Sequence, residues 1–113
     1  MTSTGQNFTM YQGDTKVIDV TVYDEVGAVL NITDSILNWV FYKRYPENIV
    51  LTKTTASGIS LSDPTNGIFR MTLNPADTEE LLGEYNHECE LTDTSNNIST
   101  ILVGKVNIYK SKA

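Results

Sequence analysis

The chain has 113 residues and 40% hydrophobic content, enough for one domain with a real core and ordinary for a globular protein. Fourteen acidic residues against eight basic ones leave a net charge of −6, which argues against nucleic acid and against an anionic membrane surface, since both need clustered Lys and Arg. No apolar run is long enough to span a bilayer as a helix, so no membrane insertion is expected, and a single Cys excludes a disulfide within the chain.

The opening Met1-Thr2-Ser3-Thr4-Gly5-Gln6 lacks a basic region followed by an apolar one, so no secretory signal is expected. Synthesis in a reducing compartment follows from the cysteine count. Three Asn-x-Ser/Thr patterns, at Asn7, Asn31 and Asn97, then read as polar residues at turns and strand edges. Residues 7–11 form a short first strand with Phe8 and Met10 on one side. After a turn at Gln12-Gly13-Asp14-Thr15, residues 16–24 form a second strand in which Ile18, Val20 and Val22 alternate with polar positions. Asp24-Glu25-Val26-Gly27-Ala28 turns the chain into a short extended piece over 29–32.

Residues 36–45 are the most aromatic stretch. Leu37, Trp39 and Phe41 share one face and are assigned to the core; Asn38, Val40, Tyr42 and Arg44 take the other. Pro46 ends this strand. The next covers 49–55, with Ile49 and Leu51 on one side and a Thr-rich end suited to a sheet edge. Short runs at 59–61 and 68–73 follow, the second with Phe69, Met71 and Leu73 inward. Asn74-Pro75-Ala76-Asp77 opens the one helical signal, at most two turns over 74–83, with Asn74 as cap, Pro75 at the first position and Gly83 as stop. The last third is a long hairpin. Tyr85, His87, Cys89 and Leu91 share one face; Asp93 to Asn97 turn; Ile98, Thr100, Leu102, Gly104, Val106 and Ile108 are assigned to one face of the closing strand. Short strands at regular spacing with one crossover helix predict an all-β antiparallel sandwich of about seven to nine strands. It forms a single domain over 1–113 with its core at about 8–109.

Little in this pattern carries chemistry. His87 and Cys89 are neighbours on one strand face, but no motif supplies an oxyanion hole or an orienting third group, so a packed His and a small buried Cys are expected. The carboxylates near Asp24-Glu25 and at Asp93 could hold calcium at a loop end, but no Asp-x-Asp-x-Asp pattern exists and turn closure is the simpler reading. No catalytic residue, cofactor or metal ligand is assigned. The faces outside the core still hold Val40, Tyr42, Ile101, Val103 and Tyr109, more apolar area than a monomer surface normally shows. With the basic cluster Lys43, Arg44 and Tyr45, they form the candidate interface, the cations facing an acidic patch such as Glu84, Glu88 and Glu90 on a neighbouring copy.

The order of these pieces resembles the immunoglobulin-like domain at the N-terminus of tailed-phage baseplate upper proteins and related phage tail proteins. The resemblance rests on Phe8 and Met10 before Gly13-Asp14-Thr15, the Ile18-to-Val22 strand, Leu30-Asn31-Ile32-Thr33, and Asn66-Gly67-Ile68-Phe69. It continues through the Thr72-to-Thr78 crossover, Leu82-Gly83-Glu84-Tyr85 and Leu102-Val103-Gly104-Lys105-Val106. It spans about residues 8–108, and its Gly-x-Tyr step looks like a tyrosine corner. It implies an immunoglobulin-like sandwich in a virion, made in a bacterial host cytoplasm. Such a module is not an enzyme: it docks onto other virion structural proteins or onto a second copy of itself in the tail, baseplate or fibre apparatus. Domains of that family usually lead a longer chain, whereas this one is expected to be a complete small virion protein. A capsid decoration or head-fibre protein is the alternative within the structural class. The alternative from another class is a module binding host-surface carbohydrate, with Tyr42, Tyr45 and Tyr109 as its aromatic platform.

Overall fold

The computed structural model describes residues 4–44 and 47–112, Arg44 by its backbone alone. Eight strands are formed by these residues: β1 (Phe8–Tyr11), β2 (Lys16–Thr21), β3 (Ile36–Arg44), β4 (Glu47–Thr54), β5 (Ile59–Asp63), β6 (Ile68–Leu73), β7 (Gly83–Thr92) and β8 (Ile98–Tyr109). They build a five-stranded sheet in the order β1-β8-β7-β3-β4 and a three-stranded sheet in the order β2-β6-β5. Every pairing is antiparallel except β1 with β8, which runs parallel from Phe8 opposite Val106 to Tyr11 opposite Tyr109. This is an immunoglobulin-like β-sandwich.

The inward faces follow the alternation of the sequence. Leu37, Trp39 and Phe41 of β3 meet Phe69, Met71 and Leu73 of β6, all of them sealed from solvent, with Tyr85, Cys89 and Leu91 of β7 beside them. β2 stops at Thr21 rather than Asp24. Beyond it the Val22 N–H still donates to the Gly67 carbonyl, just before β6, and Tyr23 makes only an isolated bridge to Val29. Residues 29–32 are therefore no strand, although Ile32 is fully buried. Gly67 is obligatory here. Its φ is +73°, and a Cβ would meet the Leu30 and Val22 carbonyl oxygens at 2.6 and 2.8 Å.

Two bulges correct the facing of residues beyond them. In β8 an extra residue lies between Thr100, opposite Glu90, and Leu102, opposite Cys89. The extra residue is Ile101, which turns inward and is only 5% exposed, so this candidate interface residue belongs to the core. The same shift leaves Ile98 exposed. In β4 Leu51 opposes Phe41 while Ile49 opposes Tyr42, which leaves Val50 as the extra residue and puts Ile49 and Leu51 on opposite faces.

The crossover between β6 and β7 holds one helical turn, α1 (Pro75–Thr78), within the two turns at most that the sequence allows. Asn74 is its N-cap, as the sequence predicts, and Asp77 completes a capping box by accepting the Asn74 N–H at 2.7 Å. Asp77 also takes an ion pair at 2.7 Å from Lys53 of β4, whose side chain is 9% exposed. Lys53 opposes Trp39 and so points inward, and its stem is buried with the ammonium led out to the crossover. Nearby the Tyr85 hydroxyl accepts the Leu82 N–H at 3.2 Å, the tyrosine-corner bond suggested by the Gly-x-Tyr step.

Candidate interaction surface and a buried histidine

The outer face of the five-stranded sheet gathers most of the remaining candidates. Val103, Glu88, Val40 and Thr52 lie in one cross-strand row over β8, β7, β3 and β4. Lys105, Asn86, Tyr42 and Ile49 form the next. Ile49 is well exposed, and Val40, Tyr42 and Val103 are half-buried. Val40, Tyr42, Glu47, Ile49 and Glu88 line a depression of about 240 Å³. The strip is thus apolar at β3 and β4 and acidic along β7. Lys105 of β8 offsets part of that charge, with its ammonium 3.6 Å from Glu84. Sequence reasoning missed Ile49, because only the bulge at Val50 brings it to this face.

Of the basic cluster, Lys43 does not lie on this strip. Neighbouring residues of a strand point to opposite faces, and Lys43 holds its ammonium 4.9 Å from the centre of the Tyr85 ring. Tyr45 lies outside the described residues, as does the Arg44 side chain. Tyr109 is half exposed at the far end of β8 and pairs with Tyr11 of β1, ring centres 5.7 Å apart and planes tilted by 46°. Tyr42 is on β3, in the cross-strand row of Lys105, four residues along β8 from Tyr109, so these two tyrosines of the expected sugar platform are not cross-strand neighbours.

The acidic turns are closed by their own backbone. One Asp24 oxygen accepts the Val26 and Ala28 N–H groups, each at 3.0 Å. Asp93 accepts from Ser95 and Asn97 at 2.9 Å, and these donors hold its carboxyl below the usual carboxylate range, the Asn97 N–H first. Both act as turn locks. Cys89 is sealed inside, and burial pushes its thiol up to about 12, which leaves it a packing residue at neutral pH.

His87 is the most constrained polar group of the interior. It is 3% exposed on the inner face of β7. The Trp39 indole N–H donates to its Nδ1 at 3.1 Å, and its Nε2 lies 2.6 Å from the Gln6 carbonyl oxygen. An indole N–H can only donate, so Nδ1 must be bare and the proton must sit on Nε2, where it is donated to Gln6. The ring is therefore neutral, with its tautomer fixed by two partners far away in sequence. Desolvation lowers its pKa, and the Gln6 carbonyl offsets that in part. Phe8 packs its edge against the imidazole, with centres 5.2 Å apart. Gly104, directly opposite on β8, makes room: a Cβ there would collide with the Gln6 carbonyl and come within 2.9 Å of Nε2.

His87 lies two residues past the corner tyrosine. In antibody domains that position belongs to the cysteine against which the buried Trp packs. Here a Trp–His hydrogen bond occupies the place. A scan against protein-family models found no match for this chain, and a search of curated proteins found no relative.

Proposed function

We propose that this immunoglobulin-like domain is a structural, non-enzymatic assembly module of a tailed-phage particle, placed in the tail, baseplate or fibre apparatus. The observation that carries the reading is the outer face of the five-stranded sheet. Val40, Tyr42 and Ile49 form an apolar strip over β3 and β4, bordered by Glu47 and by Glu88 of β7, with Val103 of β8 beyond Glu88. An apolar strip along one sheet with a charged border suits a protein neighbour, which removes the apolar area from water while the carboxylates set orientation. The motif order from Gly13-Asp14-Thr15 to Lys105-Val106 supports a virion setting. The buried thiol of Cys89 and the doubly bonded ring of His87 support a scaffold role, since neither is poised for nucleophilic or acid–base work.

The test is photo-crosslinking in assembled particles, with a benzophenone side chain in place of Tyr42. The expected result is a crosslink to another particle subunit or to a second copy of this chain. The same probe at Thr65, on the three-stranded sheet side, should give none. Purified particles that lack the chain would overturn the proposal, and so would equal crosslinking from both positions.

A further inference from the structure

We propose that His87 is an acid-sensitive latch that holds residues Gln6 to Phe8 on the edge of the five-stranded sheet and releases them when the ring is protonated. The inference does not depend on the partner proposed above.

The geometry sets the direction. In the neutral ring Nδ1 accepts from Trp39 and Nε2 donates to Gln6. Protonation puts a second N–H on Nδ1, aimed at the indole N–H 3.1 Å away. Two donors then face each other inside the core, and an unpaired buried donor is costly. Trp39 has no freedom to yield, because it is fully buried with Phe41 packed edge-on at 4.9 Å. The imidazolium can move only away from β3, towards the open cavity of about 630 Å³ between the β1 segment and β2 that His87 itself lines. Gln6 and Phe8 cover that route, so the ring leaves by lifting them.

Among the described residues that line the cavity or pack on the ring, the one carboxylate, Asp19, is paired with Arg70. From β3 the imidazolium meets Trp39 and Phe41; from the N-terminal segment and β1, Gln6 and Phe8; from β8, Gly104. Across the cavity β2 contributes Lys16 and Asp19. Lys16 is a cation, placed 5.6 Å from the Phe8 ring centre, and Asp19 is held by Arg70 at 2.8 Å. On β7 itself Glu88 belongs to the opposite, outer face. Burial depresses the folded-state pKa, and the hydrogen bond to the Gln6 carbonyl offsets it in part. A depressed His pKa means that the closed form is fully stable above the ordinary value of about 6.5. Its stability falls as pH drops from there towards the folded-state pKa.

The segment that lifts ends at Phe8, the first rung of the ladder with β8, whose ring packs 6.2 Å from that of Phe41. Gln6 is held by its N–H to the Val103 carbonyl at 3.1 Å, and Asn7 by its side-chain oxygen accepting the Lys105 N–H at 2.8 Å. Beyond Phe8 the anchor is stronger, with Met10 buried and the Gln12 N–H on the Tyr109 carbonyl at 2.8 Å. Opening therefore stops short of Met10 and exposes the β8 edge near Val103 to Lys105.

The chain holds one His and one Trp, so the experiment reads both without labels at other sites. Amide exchange and the His87 ring shift are followed by NMR on the whole chain from pH 7.5 to 5. Each amide is corrected for intrinsic exchange. The opening constant at Gln6 and Lys105 should rise, by up to about tenfold per pH unit, with the midpoint of the ring titration. The amides of Gln12, β3 and β7 should keep their protection. His87→Gln, which keeps an acceptor for Trp39 and a donor for Gln6 but cannot titrate, should abolish the pH dependence. Three results would overturn the latch: unchanged protection at Gln6 and Lys105 while His87 titrates, simultaneous loss of protection in β3, or the same loosening in His87→Gln. Should the variant fail to fold, coincidence of the two wild-type midpoints decides alone.

Discussion

The two flanks of the sandwich are closed by different means. At the β4–β5 flank the chain passes directly from one sheet to the other. There Lys53 reaches from under the five-stranded sheet to Asp77 of the crossover, a pair 2.7 Å apart and largely removed from solvent. At the β1–β2 flank the sheets stand open around a cavity of about 630 Å³, and the closure is one neutral imidazole under a short segment. A shielded ion pair is strong only while both partners are present. A neutral hydrogen-bonded ring depends instead on its proton count. One flank is thus built to stay shut under ordinary changes of pH, while the other responds to them.

The largest expected effect comes from breaking the closed flank. Asp77→Ala leaves the Lys53 ammonium without its carboxylate and removes the acceptor for the Asn74 N–H, so it should cost about 3 kcal/mol in denaturant unfolding. Replacing both, Lys53→Met with Asp77→Leu, should recover most of the loss, because a pair of this kind stabilises little over a well-packed apolar one. Next comes the open flank. Gly104→Ala drives a methyl group into the Gln6 carbonyl and towards His87, and should cost about 2 kcal/mol. Its signature is faster exchange at Gln6 and Lys105 even at neutral pH, with β4 unaffected. Tyr85→Phe removes the acceptor of the Leu82 N–H at the corner and should cost about 1 kcal/mol with no change in the pH profile. The smallest effect is expected from Asp19→Asn. Its pair with Arg70 is fully exposed, so the thermal midpoint should hardly move, and what change there is should vanish in high salt.

These predictions rest unevenly on what the sequence makes legible. The inward sets of β3, β6 and β7 are period-two patterns that need no knowledge of the partner strand, and Leu37, Trp39, Phe41, Phe69, Met71 and Leu73 are all buried as the alternation requires. The corner tyrosine is legible for a similar reason, since Tyr85 bonds only three residues upstream. The latch is not local. Trp39 and His87 are 48 residues apart, and His87 and Gln6 are 81 apart, so both bonds exist only once cross-strand registers are set. Bulges hide in the same way, because an inserted residue leaves the polar–apolar alternation readable on either side while reversing its sense. That is why Ile101 reads as surface when it is buried, and Ile49 reads as sharing a face with Leu51 when the two lie on opposite faces. Lys53 misleads by its type: a Lys in a Thr-rich edge strand looks solvated, and only the position of Asp77 explains its burial.

The parallel pairing of β1 with β8 has a mechanical consequence. The ladder runs from Phe8 beside Val106 to Tyr11 beside Tyr109, so the backbone enters it at one end and leaves it at the other. A tension drawn between residues before Phe8 and residues after Tyr109 therefore slides the two strands past one another. The rungs lie across the pull and share the load together, rather than parting singly as in a zipper. Whatever is attached at the two ends, the first and last strands act as a shear joint, and the force needed to rupture it should fall when Gln6 and Phe8 are lifted from their end of the joint.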